Sequence, residues 1–358
     1  MKTAFQPKGT WTALVSPFDR SGSLDVSRFR RLVQFQIAQG VTGLVPCGTT
    51  GESPTLEWEE HEALVRAAVE EAKGRIGVLA GTGSNSTAEA IAGTRSARDD
   101  GATAALLVDC YYNGPSSIEL RCEYYERVLA AVSDIPVVPY VIPGRTGCAL
   151  SAADLAILHQ RHPTRVPAVK SATGDLERMR QERELAGDGL AILSGDDAMT
   201  APMMRDPGIR ASGVISVMSN IVPGAVSRLV DALAAGNETS ADRLLTALDP
   251  LFRLVGVEAT TSRRLPSGRL VEVVDRFRNP IAVKVMMSGL GMIEGSCRPP
   301  LGQMNVAAVE RCRAGLRVVW ERSPEVLRPI EDAFDVRIED RLHNDEVWAR
   351  LARATEDA

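Results

Sequence analysis

Histidines are few, aromatic residues are sparse and no cysteine pair forms a motif, and each shortage removes a class of function. The four histidines (His61, His159, His162 and His343) fall in no HxH or HExxH spacing, so a histidine-based metal site is not expected. The six cysteines, Cys47, Cys110, Cys122, Cys148, Cys297 and Cys312, are scattered without a CxxC pair, the pattern of reduced, packed thiols. No GxGxxG follows the first strand-like run and no GxxxxGK(S/T) occurs anywhere, which leaves nucleotide cofactors without support. No apolar run approaches the ~20 residues that a membrane-crossing helix needs. The start, Met1-Lys2-Thr3-Ala4-Phe5-Gln6-Pro7, lacks the apolar core of a signal peptide. Basic charge is short as well: Lys and Arg number 41 against 46 Asp and Glu, a net charge of −5 that argues against a nucleic-acid partner. The expectation is a cytoplasmic protein that works on small molecules, with neither nucleic acid nor membrane as partner.

What is present is alternation. Apolar strand-like runs and amphipathic helical runs follow one another from about residue 10 to about residue 236. The strand-like runs cover 10–18, 43–47, 76–80, 103–108, 135–141, 166–171, 190–193 and 211–217. They read as near-continuous apolar segments, as parallel strands covered on both faces do. Eight such units in about 225 residues predict a (β/α)8 barrel over residues 8–237. Pro139 and Pro167 fall inside predicted strands, where each removes a ladder donor, and this keeps an open doubly wound sheet as the alternative. Residues 238–358 read as a C-terminal helical extension, with helices near 242–255, 281–290 and 307–320. A polar, arginine-rich insert at about 259–277 reads as either a protruding β-hairpin or a loop. The charge-rich last 30 residues predict one more surface helix.

Val166-Pro167-Ala168-Val169-Lys170-Ser171-Ala172-Thr173-Gly174 is the most unusual stretch. Period-two alternation puts Lys170 on the face shared by Val166 and Ala168. An ammonium facing a low-dielectric interior loses hydration, its pKa falls, and the neutral amine is the form that attacks a ketone. The other reading is a lysine at the strand's mouth, reaching solvent. In a (β/α)8 barrel the C-terminal strand ends converge on one mouth. The polar clusters of this chain fall there: Thr49/Thr50, Tyr111/Tyr112, Tyr140, Arg145, Lys170 and Ser194/Asp196. Gly48-Thr49-Thr50-Gly51 offers N–H groups and hydroxyls suited to a carboxylate, or threonines that merely cap the next helix. Tyr140 suits proton relay or packing. Arg145 offers a fork for a second carboxylate or an idle loop side chain. Ser194-Gly195-Asp196-Asp197 is either a polar rim or a helix cap.

As an ordered set, Gly48-Thr49-Thr50-Gly51-Glu52-Ser53, Tyr111-Tyr112-Asn113-Gly114-Pro115, Pro143-Gly144-Arg145-Thr146-Gly147 and Val169-Lys170-Ser171-Ala172-Thr173-Gly174 resemble the dihydrodipicolinate synthase/N-acetylneuraminate lyase family of class I aldolase-like barrels. Ser194-Gly195-Asp196-Asp197, Gly213-Val214-Ile215-Ser216-Val217 and Asn279-Pro280-Ile281-Ala282-Val283-Lys284 add to the likeness. The resemblance implies a Schiff base between Lys170 and pyruvate or a related 2-oxo acid. It further implies a proton relay of Tyr140, Thr49 and Tyr112, with Thr50 (and the Gly48 turn) on the carboxylate and the Ile215 carbonyl lining the pocket. Tyr112 is similar to a tyrosine lent by a neighbouring subunit, so a homo-oligomer, dimer or tetramer, is implied; a metal or nucleotide is not.

Thr49-Thr50 and Arg145 resemble the synthase branch, in which the arginine holds aspartate semialdehyde. Val141 after Tyr140, Asp109-Cys110 before the tyrosine pair, the 259–277 insert and the tail depart from it. Ser53, His61, Asn85, Glu89 and Tyr111 match positions of a lysine-feedback site, with Trp58 in place of a histidine. Condensation of pyruvate with aspartate semialdehyde is therefore expected. The alternatives are another 2-oxo acid aldolase or dehydratase of the family acting on a sugar-derived or aromatic substrate, or a non-catalytic small-molecule-binding barrel.

Overall fold

The computed structural model describes residues 5–353, so Met1–Ala4 of the N-terminal stretch and the last five residues of the tail lie outside it. Eight parallel strands close on themselves in sequence order: β1 (Gly9–Ala13), β2 (Gly43–Val45), β3 (Gly77–Gly81), β4 (Ala104–Val108), β5 (Val137–Val141), β6 (Ala168–Ser171), β7 (Ala191–Ser194) and β8 (Gly213–Ser216). The closing seam pairs Trp11 of β1 with Ile215 of β8. The barrel is the predicted one, and the open sheet is ruled out. Pro167 sits just before β6, where its carbonyl still accepts from the Ala191 N–H at 2.9 Å. Pro139 is accommodated within β5, opposite Leu107 of β4.

Alternation sorts each strand between two cores. Trp11, Val45, Leu79, Leu106, Val138, Tyr140, Ala168, Leu193 and Ile215 fill the barrel interior. Their chain neighbours, such as Val137, Val141 and Val169, pack outward against the helices. Trp11 dictates two glycines: a Cβ on Gly43 or Gly77 would lie 2.3 or 2.4 Å from its indole ring. Period two therefore carries Tyr140 and Lys170 into the interior at the C-terminal ends of adjacent strands, where they are register partners.

Beyond the barrel, the 259–277 insert is a hairpin and not a loop. The strands β9 (Val257–Arg264) and β10 (Leu270–Phe277) pair antiparallel over eight positions. Its base is anchored where Val257 and Ala259 are buried and where Asp275 accepts from Arg263, Thr261 and Asn305. Those donors hold the Asp275 carboxyl below the ordinary carboxylate range, Arg263 contributing most. The apolar residues of helices Glu238–Phe252, Ile281–Leu290 and Val306–Arg322 join the outer core of the barrel. In place of one tail helix there are three short ones, Pro329–Phe334, Ile338–His343 and Asp345–Ala349. Among the described residues no helix is long and apolar enough to cross a membrane.

Candidate active site

Lys170 is 4% exposed and its Nζ stands 4.0 Å from the centroid of the Tyr140 ring. Burial pushes its pKa from the ordinary 10.5 down to about 7; Arg145 adds to the fall, and Asp197 and Asp196 oppose it. Room for the lysine stem comes from Gly195, where a Cβ would lie 3.1 Å from Lys170 Cε and 2.7 Å from Ala172 Cβ. Gly195→Ala is expected to displace both the lysine stem and Ala172, lowering turnover about tenfold or more and lowering the melting temperature as well; steady-state kinetics beside a thermal scan check both.

Tyr140 lies across from Lys170 and is hydrogen-bonded to the Thr49 side chain. Burial pushes its phenol up to about 12, against the opposing effects of Arg145 and Thr49. The phenol therefore holds its proton at neutral pH and is positioned as an acid. Gly48, Thr49, Tyr140, Arg145, Ser53 and Tyr111 line a cavity of about 200 Å³ at the barrel mouth. Arg145 sits on the short helical turn Pro143–Thr146 after β5, exposed at the rim of the cavity, where partial desolvation lowers its pKa and the neighbouring Arg278 lowers it further.

The remaining predicted residues separate into three groups. Thr50 is buried at 2% exposure and accepts from Asn279 Nδ2 at 2.9 Å. Ile215 is fully buried in β8 within the barrel interior. Tyr112 is not brought to this chain's own mouth: it is 91% exposed, at a left-handed φ of +76°. The five residues matched to a feedback site cluster next to the mouth. Ser53 Oγ and His61 Nε2 lie 3.2 Å apart, and the Trp58 and His61 rings are 5.1 Å apart. Burial lowers the His61 pKa to about 4, so it is neutral near pH 7. Asn85 accepts from the Tyr111 backbone N–H at 2.9 Å, and Glu89 accepts from Ser84. Ser53 and Tyr111 face the 200 Å³ cavity, while Asn85 and Tyr111 border a second hollow of about 320 Å³.

Several supporting residues were given no catalytic or substrate-binding role by the sequence. Asp197, read there as a rim or a cap, is buried and accepts from Ser216 Oγ and from the Val217 and Met218 backbone N–H groups at 3.0 and 3.1 Å. It ties the end of β8 to the lysine's surroundings, and burial pushes its pKa up to about 6. Asp109, the departure before the tyrosine pair, accepts from Tyr125 O–H and from the Leu150 N–H. Glu52 and Lys284 form a fully buried pair at 2.6 Å beneath the Gly48–Gly51 turn. Their presence in the resembling stretches was the only signal for Glu52, Lys284 and Asn279, because partners some 230 residues apart leave no local pattern. Among the described residues no group of three or more His, Cys, Asp or Glu side chains is arranged to hold a metal ion.

Residues 6–317 match the model of the dihydrodipicolinate synthetase family. A 4-hydroxy-tetrahydrodipicolinate synthase of Nitratidesulfovibrio vulgaris (strain DP4) is 40% identical over 305 residues, covering 85% of this chain and 96% of that protein. The solved structure of the 4-hydroxy-tetrahydrodipicolinate synthase of Methylacidiphilum fumariolicum SolV is 35% identical, with a TM-score of 0.78 over 92% of this chain and 100% of that one. A structure described as the first monomeric dihydrodipicolinate synthase variant is 30% identical, with a TM-score of 0.76 over 87% and 96% of the two chains.

Proposed function

The chain belongs to the dihydrodipicolinate synthetase family, and on that footing we propose that it condenses pyruvate with L-aspartate semialdehyde through a Schiff base on Lys170, a step of lysine biosynthesis. The observation that carries this reading is the buried Lys170 amine, held near pKa 7 and packed on the Tyr140 ring. Residues 8–237 are the catalytic barrel in this reading and 238–358 the extension. No added cofactor is needed, because the amine itself is the electron sink once it becomes an iminium.

Lys170 Nζ attacks the ketone carbon of pyruvate and forms a carbinolamine. Tyr140 O–H, oriented by Thr49, protonates the departing hydroxyl, which leaves as water. The phenolate left on Tyr140 takes a proton from the methyl group that the iminium has acidified, the resulting enamine adds to the aldehyde carbon, and the new alkoxide takes that proton back from Tyr140. The amino group of the second substrate then attacks the imine carbon, closes the ring and returns Lys170 as the free amine. The Gly48–Gly51 turn and Thr50 hold the pyruvate carboxylate, the Ile215 carbonyl lines the pocket, and Arg145 holds the carboxylate of the aldehyde. Borohydride reduction with pyruvate, followed by peptide mass spectrometry, tests the scheme: a pyruvyl adduct on Lys170 supports it, and its absence from folded protein removes pyruvate as donor.

The role of Arg145 separates this substrate from a neutral polyol. Arg145→Ala is expected to raise KM for aspartate semialdehyde about tenfold to hundredfold, the worth of a charge-assisted fork. It should leave KM for pyruvate nearly unchanged; equal effects on both substrates contradict the assignment. The exposed Tyr112, held at positive φ, supports a loan of its phenol to a second copy's relay, hence a homodimer or tetramer. Ser53, His61, Asn85, Glu89 and Tyr111 would then form a lysine-responsive site, which added L-lysine in the steady-state assay tests. The cytoplasm is the compartment that suits six free cysteines.

A further inference from the structure

A residue of the C-terminal extension reaches the Gly48–Gly51 turn, and nothing in the scheme above requires it. Asn279 stands between β10 and the helix Ile281–Leu290, and its Nδ2 donates to Thr50 Oγ1 at 2.9 Å. Its own backbone carbonyl accepts from an Arg145 guanidinium N–H at 2.7 Å, while Arg278 donates back to the Gly144 carbonyl at 2.9 Å. The backbone on which the amide is mounted is therefore clamped to the turn after β5. We propose that Asn279 is a positioning residue that fixes the polarity of the Thr50 hydroxyl, so that its proton points at the carboxylate of the 2-oxo acid.

A threonine hydroxyl has one proton and two lone pairs. The Asn279 amide N–H occupies a lone pair, so the proton is directed away from Asn279 and toward an acceptor. An ionised carboxylate is acceptor-only and takes it. At 2% exposure Thr50 has little access to bulk water, and a hydroxyl that accepts one bond donates a stronger one. With Nδ2 on Thr50 and Oδ1 buried without a hydrogen-bond partner among the described residues, the amide of the extension turns an ambivalent hydroxyl into a dedicated donor. This inference rests on the reading of Thr50 as a carboxylate ligand.

The test is a set of four variants, Asn279→Ala, Asn279→Asp, Thr50→Val and Thr50→Val/Asn279→Ala. Each is assayed for kcat, for KM of both substrates and for the pyruvate concentration that half-saturates borohydride trapping. The trapping midpoint is read from folded molecules alone, so partial misfolding does not disturb it. Asn279→Ala is expected to raise KM and the trapping midpoint for pyruvate about tenfold, with kcat and KM for the aldehyde within about twofold of the parent. Asn279→Asp keeps the shape and reverses the polarity: the hydroxyl then donates to residue 279, and a second negative charge faces the substrate. It should weaken pyruvate about a hundredfold, more than alanine does. In the Thr50→Val background, Asn279→Ala should add nothing.

Asn279→Asp binding pyruvate as tightly as the parent overturns the proposal, because the hydroxyl would then be the donor to residue 279. So does an Asn279→Ala effect that persists undiminished in the Thr50→Val background, where no hydroxyl is left to orient. An unchanged pyruvate KM in Thr50→Val has a different meaning: it removes the carboxylate reading itself and this inference with it.

Discussion

Lys170→Met is expected to yield no pyruvyl adduct under borohydride and to lose turnover by ~10³-fold or more, as removal of a covalent nucleophile does. The same substitution should make the protein more stable. In the parent, burial holds the Lys170 pKa at about 7, whereas the unfolded lysine keeps its proton to about 10.5. Between those two values the unfolded chain binds more protons than the folded one, so the stability of the parent rises with pH across that window. Below about pH 7 both states are protonated and the full cost of a buried ammonium is present; above about 10.5 both are neutral and it vanishes. The gain from methionine is therefore largest below pH 7, with an upper bound of about 5 kcal/mol, and fades by pH 10.5. Thermal unfolding of parent and variant at pH 6 and pH 10.5 reads the difference directly. In the parent, the rate of adduct formation should climb about tenfold per pH unit below 7 and level off above it, since only the free amine attacks. A methionine variant no more stable at pH 6 would mean that the parent amine is solvated. An active site that costs stability in this way is the ordinary trade between function and folding.

The lysine was legible because its signal is local. A single basic residue on the inner face of an apolar strand contradicts its neighbours, and period two alone states which way it points. The barrel was legible for the same reason, repeated eight times. The hairpin was half legible: β10 is rich in valine and follows a Pro-Ser-Gly turn, but β9 is largely polar after Ala259, so only pairing with β10 makes it a strand. The helical run after β4 carries a π-turn over Leu120–Tyr125, and within it Tyr125 donates to Asp109 and Tyr124 to the Val108 carbonyl. The buried residues Leu120, Tyr124, Tyr125, Val128 and Leu129 keep the spacing of an ordinary α-helix, so the sequence gives no sign of the wider turn. The supports of the site were the least legible. Asn279 and Thr50 are 229 residues apart, and Lys284 and Glu52 are 232 apart. Such pairs exist only once the extension has folded back over the mouth.

Lys284→Met is expected to destabilise the protein by about 3–5 kcal/mol, the cost of leaving a buried partner charge uncompensated. The Lys284 and Glu52 side chains are 1% and 0% exposed, and Nζ lies 2.6 Å from Glu52 Oε1. The remaining valences are nearly all used. Lys284 also donates to the Ser16 and Ser296 carbonyls at 2.9 and 3.1 Å, and its Nζ stands 4.2 Å from the Phe18 ring centroid. Glu52 Oε2 accepts from the Arg298 backbone N–H at 2.9 Å. This pair fixes more than stability. Glu52 and Cys47 both sit at a left-handed φ of +56°, bracketing the turn that presents Thr49 and Thr50. Non-glycine residues hold that conformation only where surrounding contacts impose it, and at Glu52 the imposing contacts are those of its buried carboxylate. Loosening the pair should therefore raise KM for pyruvate along with the loss of stability. Being buried, the pair is poorly screened, so the penalty should persist at 1 M salt, unlike that of a surface bridge. Glu52→Leu/Lys284→Met removes both charges and their desolvation together, and should recover part of the lost stability without restoring the turn. Denaturant titration of the two variants separates these effects. A cost below about 1 kcal/mol for Lys284→Met would show that the extension is held to the barrel mouth without help from this pair.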